Sequence, residues 1–322
     1  KSTLIEAISF LALTRSHRAR HDGELIRTPS TAPTSGVQAQ GTPEVFPSTA
    51  TITGRLGPRQ ILRLAITTTG SAVTKQASRF GRLSPLSGVV GLVRTVLFTP
   101  EELELFTGPP RLRRRLLDGL LLQRDGPVFA EQLLTFHRTL RQRNRLLALK
   151  LPIEQLRSQV APWDTLFVAA ARAIITARTA LLTELVTAAQ AQLVAMRLPL
   201  ELTVTYHATV PELGRLDELL LARLERDQQL GSTSVGPHRD DLLITVNGRP
   251  VSSASRGEQR ALLVALKLAE YERLAVADPA NEPIFLIDDV MSELDPERRA
   301  TIAAQLVNRP CVITSADPAA LP

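Results

Sequence analysis

Residues 283–287, Pro-Ile-Phe-Leu-Ile, are apolar without alternation and run directly into Asp288 and Asp289. A short unbroken apolar run predicts a strand covered on both faces, as in a parallel sheet. Two carboxylates at its end stand where open α/β sheets bind ligands, although they also suit the solvated start of a loop. Around this strand the chain closes helix, strand, helix, strand over 257–275, 283–288, 296–307 and 310–315. At the other end, Leu4, Ile5, Ile8, Leu11 and Ala12 recur at helical spacing, which predicts a helix whose first turn is Lys1-Ser2-Thr3.

Between these ends the pattern changes twice. Residues 27–54 are rich in Thr, Ser, Pro and Gly and read as a surface insertion or loop with at most one short edge strand. Strands follow at 61–70 and 94–98, the second stopped by Thr99-Pro100. From about 101 to 197 the period is helical. Pro127 begins a helix reaching about Lys150, Pro152 and Pro162 punctuate, and a second long helix runs from about Trp163 to Arg197. Arms of ~25–35 residues reach only some 40–50 Å, so the insertion reads as a lid and not a long coiled coil. A strand is expected over 200–208 and a single helix over 211–229. Asn247-Gly248 then marks a hairpin turn within 241–251. The organisation expected is an α/β fold in three parts: 1–100, a helical lid at 101–200, and 201–322.

Composition narrows the partners. The 322 residues carry 38 Lys and Arg against 32 Asp and Glu, a net charge of +6, with the excess mostly arginine, which favours phosphate-bearing partners. A single cysteine, Cys311, excludes an internal disulfide framework and suits a reducing cytosol, so a cytoplasmic location is expected. The apolar stretch 167–182 is interrupted by Arg172 and Arg178, short of the ~18 residues of a membrane span, so no membrane partner is expected.

Candidate chemistry gathers at both ends. A helix opening Lys1-Ser2-Thr3 matches the second half of a phosphate-binding loop whose strand and glycines would lie upstream of residue 1. Ser255 and Gly257 open another helix, offering a hydroxyl and free amides to an anion, or simply an N-cap with a flexible glycine. That helix leads into Asp288, which can hold Mg²⁺, and Asp289, which can orient water on a γ-phosphate. Ser292-Glu293-Leu294-Asp295 turns into the next helix. His238, Asp240 and Asp241 lack an established metal-ligand spacing; Gly236-Pro237 reads as a turn, with His238 and Arg239 in an ionic network beside the nucleotide. Arginines cluster at 111, 113, 114 and 115, and Arg138, Arg141 and Arg145 share one helix face. They suit either a solvated face or sequence-independent tracking of DNA phosphates.

With these blocks in order, the sequence resembles the RecF family of bacterial recombination-repair ATPases, related to ABC and SMC heads. The resemblance is carried by GPHRDDLLITVNGR, SRGEQRALLVALKLAE, IFLIDDVMSELDPERR and VITSAD. It implies an ABC-type ATPase head, a mixed or parallel sheet with flanking helices and an inserted helical lid. By that resemblance Lys1, Ser2 and Thr3 belong to the nucleotide site, with Ser2 and Asp288 on Mg²⁺. Ser255, Arg256, Gly257, Glu258 and Gln259 form the signature motif, which meets the γ-phosphate on the opposite subunit. Asp289 takes the catalytic-acid position, Ser292 to Asp295 the D-loop, and the turn after Thr314 the switch. The implied cofactors are ATP and Mg²⁺. The implied partners are single-stranded, gapped or junction DNA, a RecR-type mediator, and a second copy in an ATP-dependent homodimer. The implied outcome is slow ATP hydrolysis serving replication restart, recombinase loading and the SOS response. The alternative is a non-hydrolysing nucleic-acid-binding or scaffold module.

Overall fold

The computed structural model describes residues 2–19, 21–26, 48–57, 60–69, 72–210, 212–291 and 296–315. The chain starts with α1 (Ser2–Leu13) and continues into β1 (Ser48–Gly57), β2 (Gln60–Thr69), β3 (Ala72–Arg79) and β4 (Arg82–Ser84). After β5 (Thr95–Phe98) come four helices, α2 (Glu104–Thr107), α3 (Pro110–Asp125), α4 (Pro127–Ala148) and α5 (Ile153–Ala195). Then follow β6 (Leu202–His207), α6 (Leu216–Ala222), α7 (Leu224–Leu230), β7 (Asp241–Val246) and β8 (Arg249–Pro250). The last elements are α8 (Arg256–Ala277), β9 (Ile284–Asp288), α9 (Pro296–Leu306) and β10 (Cys311–Thr314).

The apolar run 284–287 becomes the middle strand of a parallel sheet ordered β10-β9-β5, with Phe285 beside Val96 and Cys311. Phe285, Leu286 and Ile287 are buried, as expected for a strand covered on both sides. An antiparallel sheet ordered β1-β2-β3-β4 and another ordered β6-β7-β8 complete the strands described. Helix α1 joins two of these layers. Its Phe10, Leu11 and Ala12 share a core with Leu62, Leu64, Ile66 and Ala77 of the antiparallel sheet. Gly54 permits that approach, since a Cβ there would lie 2.8 Å from Leu11 Cδ1. The main core runs without a break from β5 and β9 through α8 into α3, α4 and α5.

Several expectations are corrected. Ser48–Gly57 is a ten-residue strand in register with β2, longer than a short edge strand; residues 27–47 lie outside the described ones. Helix α5 does not stop at Pro162 but spans 43 residues, roughly 65 Å. Both sides of the proline are anchored: Leu156 and Val160 pack with Leu147 and Leu224, and Phe167 enters the main core. Pro162 itself is exposed, so water can satisfy the carbonyl that its missing N–H leaves free. The expected helix 211–229 is two, α6 and α7, meeting at Arg223. Leu216 and Leu220 enter the main core, whereas Leu224 enters the smaller one and Asp227 turns to Arg143. In α1, Leu4 is 59% exposed and Ser9 takes a buried position. Asn247 and Gly248 both have positive φ, 48° and 72°, as the predicted hairpin turn requires.

Among the described residues α5 is long and apolar enough to cross a membrane by length and composition. Its buried face explains the apolarity: Ile174, Leu181 and Leu185 belong to the main core, and Arg178 is buried in a bidentate pair with Asp118 at 2.8 and 2.9 Å.

Candidate nucleotide-binding site

The parallel sheet brings the two ends of the chain together. Asp288 closes β9, and Ser2 opens α1 286 positions earlier; Ser2 Oγ donates to Asp288 Oδ1 at 3.0 Å. Thr314, closing β10, donates to the same oxygen at 2.5 Å. The register explains this, because Thr314 pairs with Asp288 across the sheet. Asp288 is 9% exposed, so its charge is largely shielded and held by two hydroxyls. The next residue points elsewhere. Asp289 has φ 57°, is exposed, and donates its backbone N–H to Thr314 O at 3.0 Å. The left-handed backbone, which Asp tolerates better than most residues, turns the second carboxylate away from the first.

Ser2 is half-buried and Thr3 exposed at the start of α1. Lys1, Ser292 and Asp295 lie outside the described residues. Ser255 forms a capping box on α8: its Oγ accepts from Glu258 N at 3.2 Å, and Glu258 Oε2 accepts from Ser255 N at 2.7 Å. Those bonds hold the Glu258 carboxyl below its usual range. Arg256 is exposed and Gly257 half-buried, and as first-turn residues their amides have no intrahelical acceptor. Gln259 is buried, and its side chain donates to Val251 O and Ala254 O at 3.1 and 3.3 Å, which fixes the turn. No hydrogen bond joins this turn to the Ser2–Asp288 pair among the described residues.

The arginine clusters divide. Arg111, Arg115, Arg138, Arg141 and Arg145 are exposed. Arg113 is not a surface residue: it is buried against Asp241 at 2.7 and 3.1 Å and donates to Leu105 O and Gly108 O. Arg114 is half-buried and donates to Asp240 O at 2.5 Å. The Asp241 carboxylate that opens β7 and the carbonyl just before it thus clamp α3, which removes both arginines from a phosphate-facing set. The rest of the His238 block is bound within its own loop and to the end of β6. His238 Nε2 lies 3.0 Å from Thr233 O, Arg239 Nε donates to the same carbonyl at 3.3 Å, and buried Asp240 accepts from Tyr206 and Thr209. No group of three or more His, Cys, Asp or Glu that could hold a metal occurs among the described residues.

Sequence reasoning missed the residues behind the site. A cavity of about 430 Å³ between the loop after α1 and helix α3 is lined by His17, Glu101, Gln123, Lys267 and Glu270, among others. Burial lowers the pKa of His17, although Glu6, Asp288 and Glu101 oppose it, and neither ring nitrogen has a hydrogen-bond partner. Lys267 of α8 bridges Glu102 at 2.6 Å and Glu270 at 3.0 Å. Burial raises the pKa of both Glu102 and Glu270, although the ammonium they share opposes it. The only signal was Thr99-Pro100-Glu101-Glu102, legible as the end of a strand but not as a bridge to α8.

A parallel sheet whose central strand ends in Asp288, a helix N-terminus facing that carboxylate, and a capped Ser-x-Gly turn before the same strand define an ABC-type ATPase head. The comparisons then give the family. No protein-family model matches the chain. It is 33% identical to the DNA replication and repair protein RecF of Roseiflexus castenholzii over 344 residues, covering 96% of this chain and 82% of the relative. Identity to the same-named protein of Myxococcus xanthus is 35%, covering 95% and 78%. Its fold is similar to the recombination mediator protein RecF-ATPrS of the RecFOR pathway, with a TM-score of 0.79, 26% identity, and coverage of 100% and 84%. RecF-ATP gives a TM-score of 0.77 at 26% identity, covering 98% and 83%. The chain belongs to the RecF family.

Proposed function

We propose that the chain is a slow ATPase of DNA replication and recombinational repair that binds ATP and Mg²⁺, dimerises on ATP and holds single-stranded or gapped DNA. The observation that carries this is the 3.0 Å separation of Ser2 Oγ and Asp288 Oδ1. Adjacent octahedral ligands about 2.0–2.1 Å from Mg²⁺ stand roughly 2.8–3.0 Å apart. The hydroxyl and carboxylate are hard oxygen donors at that spacing, so the pair fits the ion. When bound, Mg²⁺ would neutralise charge on the β- and γ-phosphates.

The remaining roles belong to this chain's own residues. Thr314 orients Asp288 from the neighbouring strand. Asp289, exposed and turned away from Asp288, would orient the attacking water; being one methylene shorter than a glutamate, it would hold that water less closely. Ser255 to Gln259 would present the amides of Arg256 and Gly257 to a γ-phosphate on a second copy, which accords with their lack of any bond to Ser2 or Asp288. Lys1 would contact the phosphates, and Ser292 and Asp295 would line the dimer contact. The helical segment 101–200 would act as a lid, with exposed Arg111, Arg115, Arg138, Arg141 and Arg145 on DNA phosphates. The solved relatives' place in the RecFOR pathway supports a RecR-type mediator as partner and recombinase loading as the outcome.

The test is ATP hydrolysis by the full-length protein across a Mg²⁺ titration. Altering even a supporting residue of a metal site costs roughly 10–100-fold. Asp288→Asn and Ser2→Ala should therefore each raise the Mg²⁺ requirement by at least tenfold. Unchanged Mg²⁺ dependence in both variants would remove the assignment.

A further inference from the structure

Between Glu44 and Glu101 the sequence contains no Asp or Glu, yet it holds six arginines and one lysine. The structure turns most of this segment into the β1-β2-β3-β4 sheet, with one face on α1 and the other open. Lys75 is accounted for, bonded to Asp22 at 2.8 Å and to Thr14 O at 3.0 Å. Arg55, Arg63, Arg79 and Arg82 are exposed, and no carboxylate pairs with any of them among the described residues.

The register gathers these four at one end of the sheet. Thr53 faces Arg63 and Arg55 faces Ile61, which makes Arg55 and Arg63 diagonal neighbours on the open face, roughly 7–8 Å apart at Cα. On that face Arg63 also pairs with Ser78, which pairs with Leu83, whereas Arg79 pairs with buried Leu62 and with Arg82, so these two leave the other face at the exposed hairpin end. Apolar groups sit among these charges: Phe80 is 47% exposed, Leu83 81% and Ile61 39%. The Arg79 guanidinium lies 4.8 Å from the centre of the Phe80 ring.

Phe80 occupies a costly backbone position. Phe80 and Gly81, with φ 55° and 78°, form the two-residue turn between β3 and β4. Positive φ at both places favours Asn-Gly or Asp-Gly, and an aromatic residue there is strained. An exposed phenylalanine in a strained turn, flanked by Arg79 and Arg82, buries little for the fold; a π-face beside phosphate-binding groups is what a single strand of nucleic acid uses.

We infer that the open β1-β2-β3-β4 face and the Phe80 hairpin at its end form a contact surface for single-stranded DNA, with phosphates on Arg55 and Arg63, a base stacked on Phe80, and Arg79 and Arg82 meeting the strand where it rounds the hairpin. This rests on the DNA-binding reading above and adds a surface separate from the helical lid. Threonines on the open face, with Thr49 Oγ1 and Thr67 Oγ1 3.0 Å apart, supply further donors to the backbone. The lack of acids along the segment is the charge complement of a polyanion.

The test is fluorescence anisotropy with the full-length protein, a labelled 30-nucleotide single strand, a duplex of equal length, and anionic vesicles of phosphatidylcholine and phosphatidylglycerol. Phe80→Asn suits the turn better than phenylalanine, so its melting temperature should hold or rise while single-strand affinity falls by about 5- to 150-fold. Replacing Arg55, Arg63, Arg79 and Arg82 with Ala should flatten the log–log salt slope by about 0.7 per arginine. Wild-type affinity and slope in both variants overturn the inference and leave the lid reading standing. No binding of wild-type protein to either DNA overturns the DNA-binding reading and this surface with it. An equal loss for duplex refutes the single-strand assignment, and a loss confined to vesicles shows the face to be a membrane contact instead.

Discussion

Protonation of His238 should weaken the fold below neutral pH by an amount that can be worked out. Its imidazole packs against Phe136 and Phe167, with ring centroids 5.8 and 6.3 Å away. Burial pushes its pKa down to about 4, which the Thr233 bond opposes and Arg239 reinforces. An unfolded chain, with an ordinary value of about 6.5, binds the proton first, so stability present above that value is lost as pH falls toward 4. With those two values the loss relative to pH 7.5 is about 1 kcal/mol at pH 5.5 and about 2–3 kcal/mol at pH 4.5. Below about 4 both states carry the proton and this contribution stops changing. Burial also lowers the pKa of His17 and His137, so the wild-type curve is steeper than His238 alone would make it. The His238 share is isolated by comparison with His238→Gln, which removes the titration. Urea unfolding followed by circular dichroism should show the variant weaker at pH 7.5, where packing is lost. That gap should shrink by about 2–3 kcal/mol by pH 4.5. A gap that stays constant across the range would refute the reasoning.

Asp289→Asn should leave ATP binding intact and stall hydrolysis, since an amide cannot orient water as a carboxylate does; light scattering should then show ATP-dependent dimers that persist, and monomers only would contradict the role. Ser255→Arg should spare ATP binding in a fluorescent-nucleotide assay but abolish ATP-driven dimers in light scattering, because the side chain would fill the partner's phosphate pocket. Replacing the exposed Arg111, Arg115, Arg138, Arg141 and Arg145 with Ala should flatten the salt dependence of DNA binding, each phosphate contact contributing a slope of about 0.7–0.9. Arg113→Ala should instead cost about 1–3 kcal/mol in urea unfolding, by leaving the Asp241 carboxylate and the Leu105 and Gly108 carbonyls without their donor.

What the sequence determined by itself was the local grammar and the order of the chemical blocks. The unbroken run 284–287 forms a central parallel strand because only a strand covered on both faces places apolar groups at every position. Asn247-Gly248 makes its hairpin turn because few other pairs accept positive φ twice. The capping box at Ser255 was legible as a serine before a helix, because the bonds involved reach only three residues along the chain. Tertiary structure decided wherever a partner lay far away. Pro162 continues a helix because cores on both sides hold it, an energy invisible in a proline's local preference. Arg113 and Arg115, two positions apart in one basic run, were indistinguishable until α3 turned the first toward Asp241, 128 positions on, and left the second in water. Ser48–Gly57, at the end of the Thr-rich segment, is a ten-residue strand because β2 and α1 supply its partners. Ser2 and Asp288 meet for the same reason: sheet register and helix packing, both set by burial of groups distant in sequence, bring 286 residues of separation down to 3.0 Å.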